Sequence, residues 1–281
     1  MPEAKTVSAP AINLVDESFD PKKSNSYHLS LLVSKDTLSY SIVDTNTSKY
    51  LALRHTPILK GEMLNLSPLE GLGVFKSVTC AVAHPKFSLV PSALFDEESK
   101  NPMLGFNHPL ENNEKTHSDT LQNLEAKNLF SISEYLQSAI HKYFPHAHIL
   151  HNATSFLEGI LVQNKTNKTK KVFADFHSDY FEIAILDGRE LLFSNAFSYK
   201  TSEDIAYYIL FVYEQLKLNP EEIELVLSGE IEKTAKEHSL LYNYIRHVKF
   251  ASLPDSFKYS YKFDEIQPHR FWSLFAQYLT I

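Results

Sequence analysis

The sequence predicts an α/β protein made of two duplicated halves, each a mixed five-stranded sheet with helices. Two three-strand β-meanders, near residues 28–58 and 172–197, align without a gap over their first two strands at an offset of 143 residues. Each meander is followed by helices alternating with strands, a pattern that implies parallel neighbours in one sheet. The alternative is that any two meanders with alternating apolar residues would align equally well.

The first half is assigned to residues 27–165. Residues 1–26 contain three prolines and no sustained periodicity, so a flexible tail is expected there. A loop-rich insertion is expected near residues 84–118. The remaining elements predicted for this half are strands at 28–34, 38–44, 49–58, 75–84 and 86–90, a short helix at 92–99, a helix at 133–144, a strand at 146–150 and a helix with a Thr154 cap at 154–163.

The second half is assigned to residues 166–281. Its meander turns at Asp187-Gly188, a pair typical of tight hairpins. Thr201 to Asp204 resembles a capping box before a helix with one apolar face. A strand at 223–229, a helix at 232–244 and a strand at 248–252 follow. The last element is a helix from Pro268, whose apolar surface is too broad for an exposed helix, so it should dock on the body or on a partner.

The composition excludes several classes of function. The chain has 281 residues and a formal charge of −7, so no global positive field favours nucleic acid. Its seven glycines form neither GxGxxG nor a P-loop. Cys80 is the single cysteine, which excludes an internal disulfide and a thiolate zinc cluster and suits a reducing compartment. The sequence shows no apolar signal-peptide core and no membrane span, so a cytoplasmic location is expected.

Two short motifs and the order of elements carry a resemblance to a known family. LVPSALFDEES at residues 89–99, GFNH at residues 105–108 and the overall size resemble an uncharacterised bacterial family, known as a domain of unknown function. The two β-β-β-α-β-α halves resemble the actin-like ATPase (ribonuclease H-like) fold. The resemblance covers residues 27–281 and brings no established activity.

The resemblance implies a nucleotide between the halves, held by a glycine-rich turn in each first hairpin. Glycine is needed there because backbone N–H groups must approach phosphate closely. Asp175 stands at the aspartate position of the second turn, but the glycine positions hold His177, Ser178 and Asp179. The first turn has Leu32 in place of an aspartate. Both phosphate turns are therefore predicted to be disabled.

A third motif resembles the adenosine-binding strand and turn. Ser228 and Gly229 match it, whereas Glu230 replaces its second glycine. The alternative is that Gly229 only lets the chain leave a buried strand. Asp175, Ser228 and Gly229 are thus the candidate cofactor-binding residues of a vestigial cleft. No cofactor is expected, although ATP with Mg²⁺ is a possible ligand, and no catalytic or metal-binding residue is assigned.

The remaining chemical groups are expected to be structural. Four histidines, at positions 141, 146, 148 and 151, cluster in sequence and are interpreted as surface residues rather than metal ligands. The lysine run at 165–171 has no aromatic platform, so a solvated loop is favoured over an RNA contact. Cys80 lies in an apolar strand and is expected to be buried and inert. Tyr207 and Tyr208 are either interface anchors or part of a core.

Three hypotheses of function follow. The first is a non-catalytic actin-like protein that acts as a scaffold or assembly factor by binding an unidentified protein. The second is a nucleotide-binding ATPase with atypical phosphate loops, for which we expect an open cleft with Asp175 facing Ser228. The third is an RNA-binding accessory protein that uses the lysine run.

Overall fold

A computed structural model describes residues 11–58, 66, 69 and 72–281 of the chain. The strands of these residues are, in chain order, β1 (Ile12–Val15), β2 (Tyr27–Val33), β3 (Thr37–Asp44), β4 (Lys49–Pro57), β5 (Ser77–Val82), β6 (Phe87–Pro91), β7 (Glu114–Leu121), β8 (Ala126–Ser133), β9 (His148–His151), β10 (Lys170–Phe176), β11 (Tyr180–Asp187), β12 (Glu190–Ser198), β13 (Glu224–Gly229), β14 (Val248–Phe250) and β15 (Lys258–Tyr259). The α-helices are α1 (Lys100–Gly105), α2 (Glu134–Tyr143), α3 (Asn152–Gln163), α4 (Ser202–Gln215), α5 (Lys236–Tyr244) and α6 (Trp272–Ala276).

The two predicted halves have matching central sheets. The second sheet has the order β12-β11-β10-β13-β14, and the first contains the equivalent β4-β3-β2-β5-β9. In both, the hairpin pairs are antiparallel and the strands that follow a crossover pair in parallel. The hairpins β2–β3 and β10–β11 begin and end at positions 143 residues apart, which is the offset of the sequence repeat.

The first sheet is larger than the predicted five strands. It has seven, because β1 pairs with the outer edge of β4 and the two-residue β15 pairs with β4 as well. The tail predicted over residues 1–26 is therefore wrong for residues 12–15, which form β1, and for residues 21–26, which form a 3-10 helix at Pro21–Ser26. Residues 1–10 lie outside the described residues.

The region near residues 84–118 contains more regular structure than predicted. β6, β8 and β7 form a separate antiparallel sheet, and α1 packs on it. The short helix predicted at residues 92–99 is reduced to a 3-10 turn at Ser92–Leu94, and the α-helix begins at Lys100.

Helices cover both faces of the second sheet. α4 and α5 pack on one face, where Ile205, Ile209 and Leu241 join the core of this half. The predicted capping box of α4 is present, with the Thr201 and Asp204 side chains each bound to the backbone of the other. α3 covers the other face through Phe156 and neighbouring apolar residues.

The predicted start of α3 is wrong. The helix begins at Asn152 rather than after a Thr154 cap, because the His151 side chain accepts the backbone N–H of Ala153 at 3.1 Å and acts as the N-cap. The Thr154 hydroxyl instead donates to Asp119 Oδ2 at 2.6 Å. This earlier start places Asn152 against the second sheet.

The C-terminal segment, residues 268–280, docks on the body, which is one of the two predicted alternatives, but it is not one continuous helix. It consists of a 3-10 helix at Pro268–Phe271, then α6, then a 3-10 helix at Gln277–Thr280. Trp272 and Ala276 pack with α3 and the second sheet, while Leu274 and Phe275 pack on the first sheet. The segment therefore lies between the two halves.

Candidate functional site

Asp175 lies at the end of β10, between the two halves, and is 1% exposed. Its partner in the register with β13 is Ser228, whose hydroxyl donates to Asp175 Oδ1 at 2.6 Å. Ser273 of the C-terminal segment donates to Oδ2 at 2.6 Å, and Asn152 Nδ2 donates to the same oxygen at 3.1 Å. The structure thus brings Asp175 and Ser228 together, an arrangement expected under the hypothesis of a nucleotide-binding ATPase, but the carboxylate accepts hydrogen bonds from three side chains of the protein.

Gly229 follows Ser228 at the end of β13 and has a backbone requirement of its own. Its φ is +81°, and a Cβ placed there would lie 2.2 Å from the carbonyl oxygen of Phe176. The next residue, Glu230, donates its N–H to that oxygen at 2.8 Å. The close approach of two strand ends accounts for this glycine, and a role in cofactor binding stays a prediction.

The two turns that correspond to the phosphate turns face each other. Lys35 of the first turn forms an ion pair with Asp179 of the second, with 2.7 Å between Nζ and Oδ2. Both side chains are substantially exposed, so the pair contributes about 1 kcal/mol at most. It nevertheless joins the halves at the mouth of the cleft.

Buried hydrogen bonds hold the C-terminal segment in this cleft. Gln277 is fully buried and donates from Nε2 to the carbonyl oxygen of Leu31 at 2.9 Å, in the first sheet. The His269 ring contacts the carbonyl oxygen of Ile231 at 2.7 Å, in the second half. Together with the bond from Ser273 to Asp175, these contacts attach the segment to both halves.

The space left between the turns is small. A cavity of about 30 Å³ remains there, lined by Ser34, His177, Gly229 and Phe271 among others. One water molecule occupies about that volume in the liquid, whereas ligand pockets are typically about 300–1,000 Å³. The cavity between the turns is therefore smaller than a typical ligand pocket in this conformation.

A cluster of buried polar side chains lies beside Asp175. His177 and Glu182 each place a ligand-type atom within 4.8 Å of one on Asp175, and all three residues are buried. Burial and the nearby Asp175 charge hold the pKa of Glu182 well above its usual value. Burial also lowers the pKa of His177, so its ring is neutral at pH 7. Sequence reasoning missed Glu182, although the hairpin register places it directly opposite Asp175.

A second and larger cavity lies on the α3 side of the second sheet. Its volume is about 500 Å³, and its apolar lining includes Phe156, Phe173 and Trp272. At its rim Glu224 forms ion pairs with Lys171, at 3.1 Å, and with Lys249. Ser228, from the motif that resembles the adenosine-binding turn, also lines this cavity.

The other groups named from the sequence behave as structural residues. Cys80 is fully buried, and burial raises the pKa of its thiol to about 12. His146 and His148 are exposed, whereas His151 is buried as the cap of α3. In the lysine run, Lys170 and Lys171 form ion pairs with acidic residues.

Comparison with known proteins places the chain in a family. A family model described as "Protein of unknown function (DUF3822)" matches residues 16–248, which is most of the chain. The chain belongs to the DUF3822 family. A search of curated proteins gave no match. Membership of an uncharacterised family, predicted from the sequence, is thereby confirmed.

Solved structures similar to this DUF3822 chain confirm the fold. A Bacteroides thetaiotaomicron protein with an actin-like ATPase fold and unknown function is 25% identical, with a TM-score of 0.77, over 83% of this chain and 93% of that one. The PilM–PilN type IV pilus biogenesis complex is 13% identical, with a TM-score of 0.59, over 90% of this chain and 96% of that one. The predicted actin-like ATPase fold is therefore correct.

None of the helices described between residues 11 and 281 is both long and apolar enough to cross a membrane.

Proposed function

We propose that this DUF3822 protein is an actin-like protein that does not hydrolyse nucleotide and that acts as a scaffold or assembly factor by binding another protein. The observation that carries the proposal is the closed cleft, where about 30 Å³ remains between the two turns. ATP would have to displace Ser273 from Asp175 and Gln277 from the first sheet. Each displacement would leave a buried polar group without its partner, which costs about 1–3 kcal/mol.

The chemistry of the turns supports the same conclusion. The backbone approach that phosphate requires is obstructed by the side chains of His177, Ser178 and Asp179. Asp179 would also place a negative charge beside the phosphates, and Lys35 is already engaged with it.

A patch of exposed aromatic residues on α4 supports protein binding. Tyr207 is 63% exposed and Phe211 is 41% exposed, and their rings stack at a centroid distance of 6.1 Å. Such residues are enriched at protein interfaces because they supply large contact areas at a low entropic cost. PilM, a protein in one of the similar structures, was solved in a complex with PilN, so this fold is compatible with protein binding.

Calorimetric titration of the wild-type chain with ATP and Mg²⁺ tests the first part of the proposal. We expect no saturable heat at millimolar nucleotide and no phosphate release. Micromolar binding with turnover that is lost in Asp175→Ala would overturn it.

A pull-down from native cell extract, read by mass spectrometry, tests the second part. The bait is the wild-type chain, compared with a Tyr207→Ser/Phe211→Ser variant. Tyr135→Ser is the matched control, because Tyr135 is a 52% exposed aromatic on α2 in the other half. We expect a partner that the double variant loses and the control retains. Equal recovery by all three baits would contradict a role for this patch.

A further inference from the structure

Four buried polar side chains from three parts of the fold converge beside the cleft. Asn152 begins α3, Asp175 ends β10, His177 lies in the turn and Glu182 lies on β11. None is more than 8% exposed. Asn152 Nδ2 lies 3.1 Å from Asp175 Oδ2, 3.2 Å from His177 Nε2 and 3.2 Å from Glu182 Oε2.

Hydrogen bonding alone does not satisfy this cluster. The Asn152 amide nitrogen carries two hydrogens, which it donates to Asp175 and Glu182, so the His177 ring nitrogen at 3.2 Å receives no hydrogen bond from it in either tautomer. Glu182 Oε1, which lies 3.9 Å from His177 Nε2, has only the Tyr180 hydroxyl beside it and forms no hydrogen bond of good geometry, and Asn152 Oδ1 has no partner. Buried polar atoms are nearly always paired in folded proteins, so two unpaired atoms in one cluster point to a missing ligand.

The charges in the cluster also lack a counterion. Among the described residues, the neutral ring of His177 is the only basic side chain within 4 Å of the Asp175 and Glu182 carboxylates. By contrast Asp16, which is similarly buried, has Lys49 Nζ at 2.8 Å. When both are ionised, the two buried carboxylates carry the charge that one divalent cation neutralises, and burial of those charges without compensation is strongly unfavourable.

The distances fit a small four-coordinate ion. Rotating the Asn152 amide by half a turn exchanges Oδ1 and Nδ2 and presents an oxygen to the other three groups. Ligands placed tetrahedrally at about 2.0–2.2 Å from Zn²⁺ lie about 3.3–3.6 Å from one another. The observed distances bracket this range. The contacts of the Asn152 amide are 3.1–3.2 Å long, and His177 Nε2 lies 3.6 Å from Asp175 Oδ2 and 3.9 Å from Glu182 Oε1.

Neighbouring groups hold the proposed ligands in place. Ser228 and Ser273 donate to the Asp175 carboxylate, and the His177 ring stacks on Tyr180 at a centroid distance of 4.4 Å. Outer contacts of this kind orient the ligands of metal sites in proteins.

We propose that Asn152, Asp175, His177 and Glu182 form a buried site for one divalent transition-metal ion of the Zn²⁺ type. The site is closed, with four protein ligands, and it joins the start of α3 to the hairpin of the second half. A nitrogen ligand and the absence of room for bound waters favour Zn²⁺ or Co²⁺ over Mg²⁺, which retains several waters. The proposal is independent of the proposed function.

Metal titration of the full chain tests the proposal. After treatment with a chelator and dialysis, the protein is titrated with Zn²⁺ by calorimetry and with Co²⁺ by visible absorption. We expect one equivalent of each ion, a tetrahedral Co²⁺ spectrum, a higher unfolding temperature with Zn²⁺, and no response to Mg²⁺ at the same concentration. A weak octahedral Co²⁺ spectrum, or no binding, would overturn the proposal.

Variants separate this site from surface binding. Glu182→Gln keeps the side-chain shape and removes a charge, so it should weaken Zn²⁺ binding at least 100-fold while leaving the metal-free protein equally or more stable. His177→Gln is the second variant and should do the same to binding. There are two matched controls. One is Asp179→Asn, which lies in the same turn but is exposed, and the other is the exposed pair His146→Gln/His148→Gln. Unchanged binding in Glu182→Gln and His177→Gln, or lost binding in the His146/His148 control, would refute the site.

Discussion

Replacing Gly159 by alanine should destabilise the protein, although alanine is the better helix former. Gly159 lies in α3 where the C-terminal segment crosses it. A Cβ at this position would lie 2.6 Å from Cη2 of Trp272 and 2.8 Å from Cβ of Ala276. Both distances are shorter than real Cβ contacts, so either the segment or the helix must move.

Two opposing effects set the magnitude. Exchanging glycine for alanine inside a helix contributes about 1 kcal/mol of stability. Overpacking a filled core costs about 1–3 kcal/mol, and Trp272 is 1% exposed within a packed cluster, so its ring has no free space to enter. Because the ring cannot move aside, the cost should lie in the upper part of that range, at about 2–3 kcal/mol. This leaves a net loss of about 1–2 kcal/mol, which corresponds to roughly 2–8 °C in melting temperature for a chain of this size.

A double-mutant cycle isolates the contact. In a Trp272→Leu/Ala276→Gly background both close contacts are gone, so Gly159→Ala should become neutral or stabilise by about 1 kcal/mol, for a coupling of about 2 kcal/mol. Gly105→Ala is the control, because nothing lies within 4 Å of a Cβ at that position. It should change the free energy of unfolding by about 0.5 kcal/mol or less.

Urea unfolding followed by far-UV circular dichroism is the suitable assay. Fluorescence would not serve, because Trp272 is the single tryptophan. If Gly159→Ala raises the free energy of unfolding of the wild-type chain, then α3 and the C-terminal segment do not pack as described. The closed cleft, on which the proposed function depends, would then lose its support.

Three further predictions concern single buried positions. Burial raises the pKa of Asp119 from 3.8 to about 7, so the folded state holds a proton that the unfolded state has lost. The free energy of unfolding should therefore fall by up to about 4 kcal/mol from pH 4 to 7. Urea unfolding at several pH values measures this fall, and Asp119→Asn should abolish it. Gly229→Ala should lower the free energy of unfolding by about 3 kcal/mol or more, because φ is +81° and Phe176 obstructs the added Cβ. Gly188→Asn is the control in the same assay. It should cost less than about 1 kcal/mol, because φ is +61° and the nearest atom lies 3.5 Å from the Cβ. Burial raises the pKa of the Cys80 thiol to about 12, so a thiol reagent should label Cys80 in denaturant and not in the folded protein. Rapid labelling without denaturant would contradict the burial of this residue.

The hairpins were predictable because their signals are local. Alternating apolar residues and short polar turns mark β2–β3 and β10–β11 in the sequence, and the offset of 143 residues is reproduced by their bounds. The capping box of α4 is equally local, since four consecutive residues contain it. Parallel pairing of β13 with β10 followed from the helix between them.

The contacts that close the cleft were not predictable from local patterns. Ser273 and Asp175 are 98 residues apart, and nothing in a serine on an apolar helix indicates that its hydroxyl reaches a carboxylate. β7 was missed for a similar reason, because the segment Glu114–Leu121 is mostly polar and becomes a strand by pairing with β8. Asn152 was hidden by the predicted start of α3 at Thr154.

The surroundings of Asp175 explain why an aspartate at this position does not imply catalysis. Its two carboxylate oxygens accept hydrogen bonds from Ser228 of the second sheet, Ser273 of the C-terminal segment and Asn152 of α3. A carboxylate is suited to this junction because it is an acceptor with several lone pairs, whereas an amide would present a donor to at least one of these groups. In a nucleotide-binding relative the same carboxylate would have to face metal or water across an open cleft. Here three side chains of the protein donate to it, so the contacts that close the cleft are sufficient to account for a carboxylate at this position.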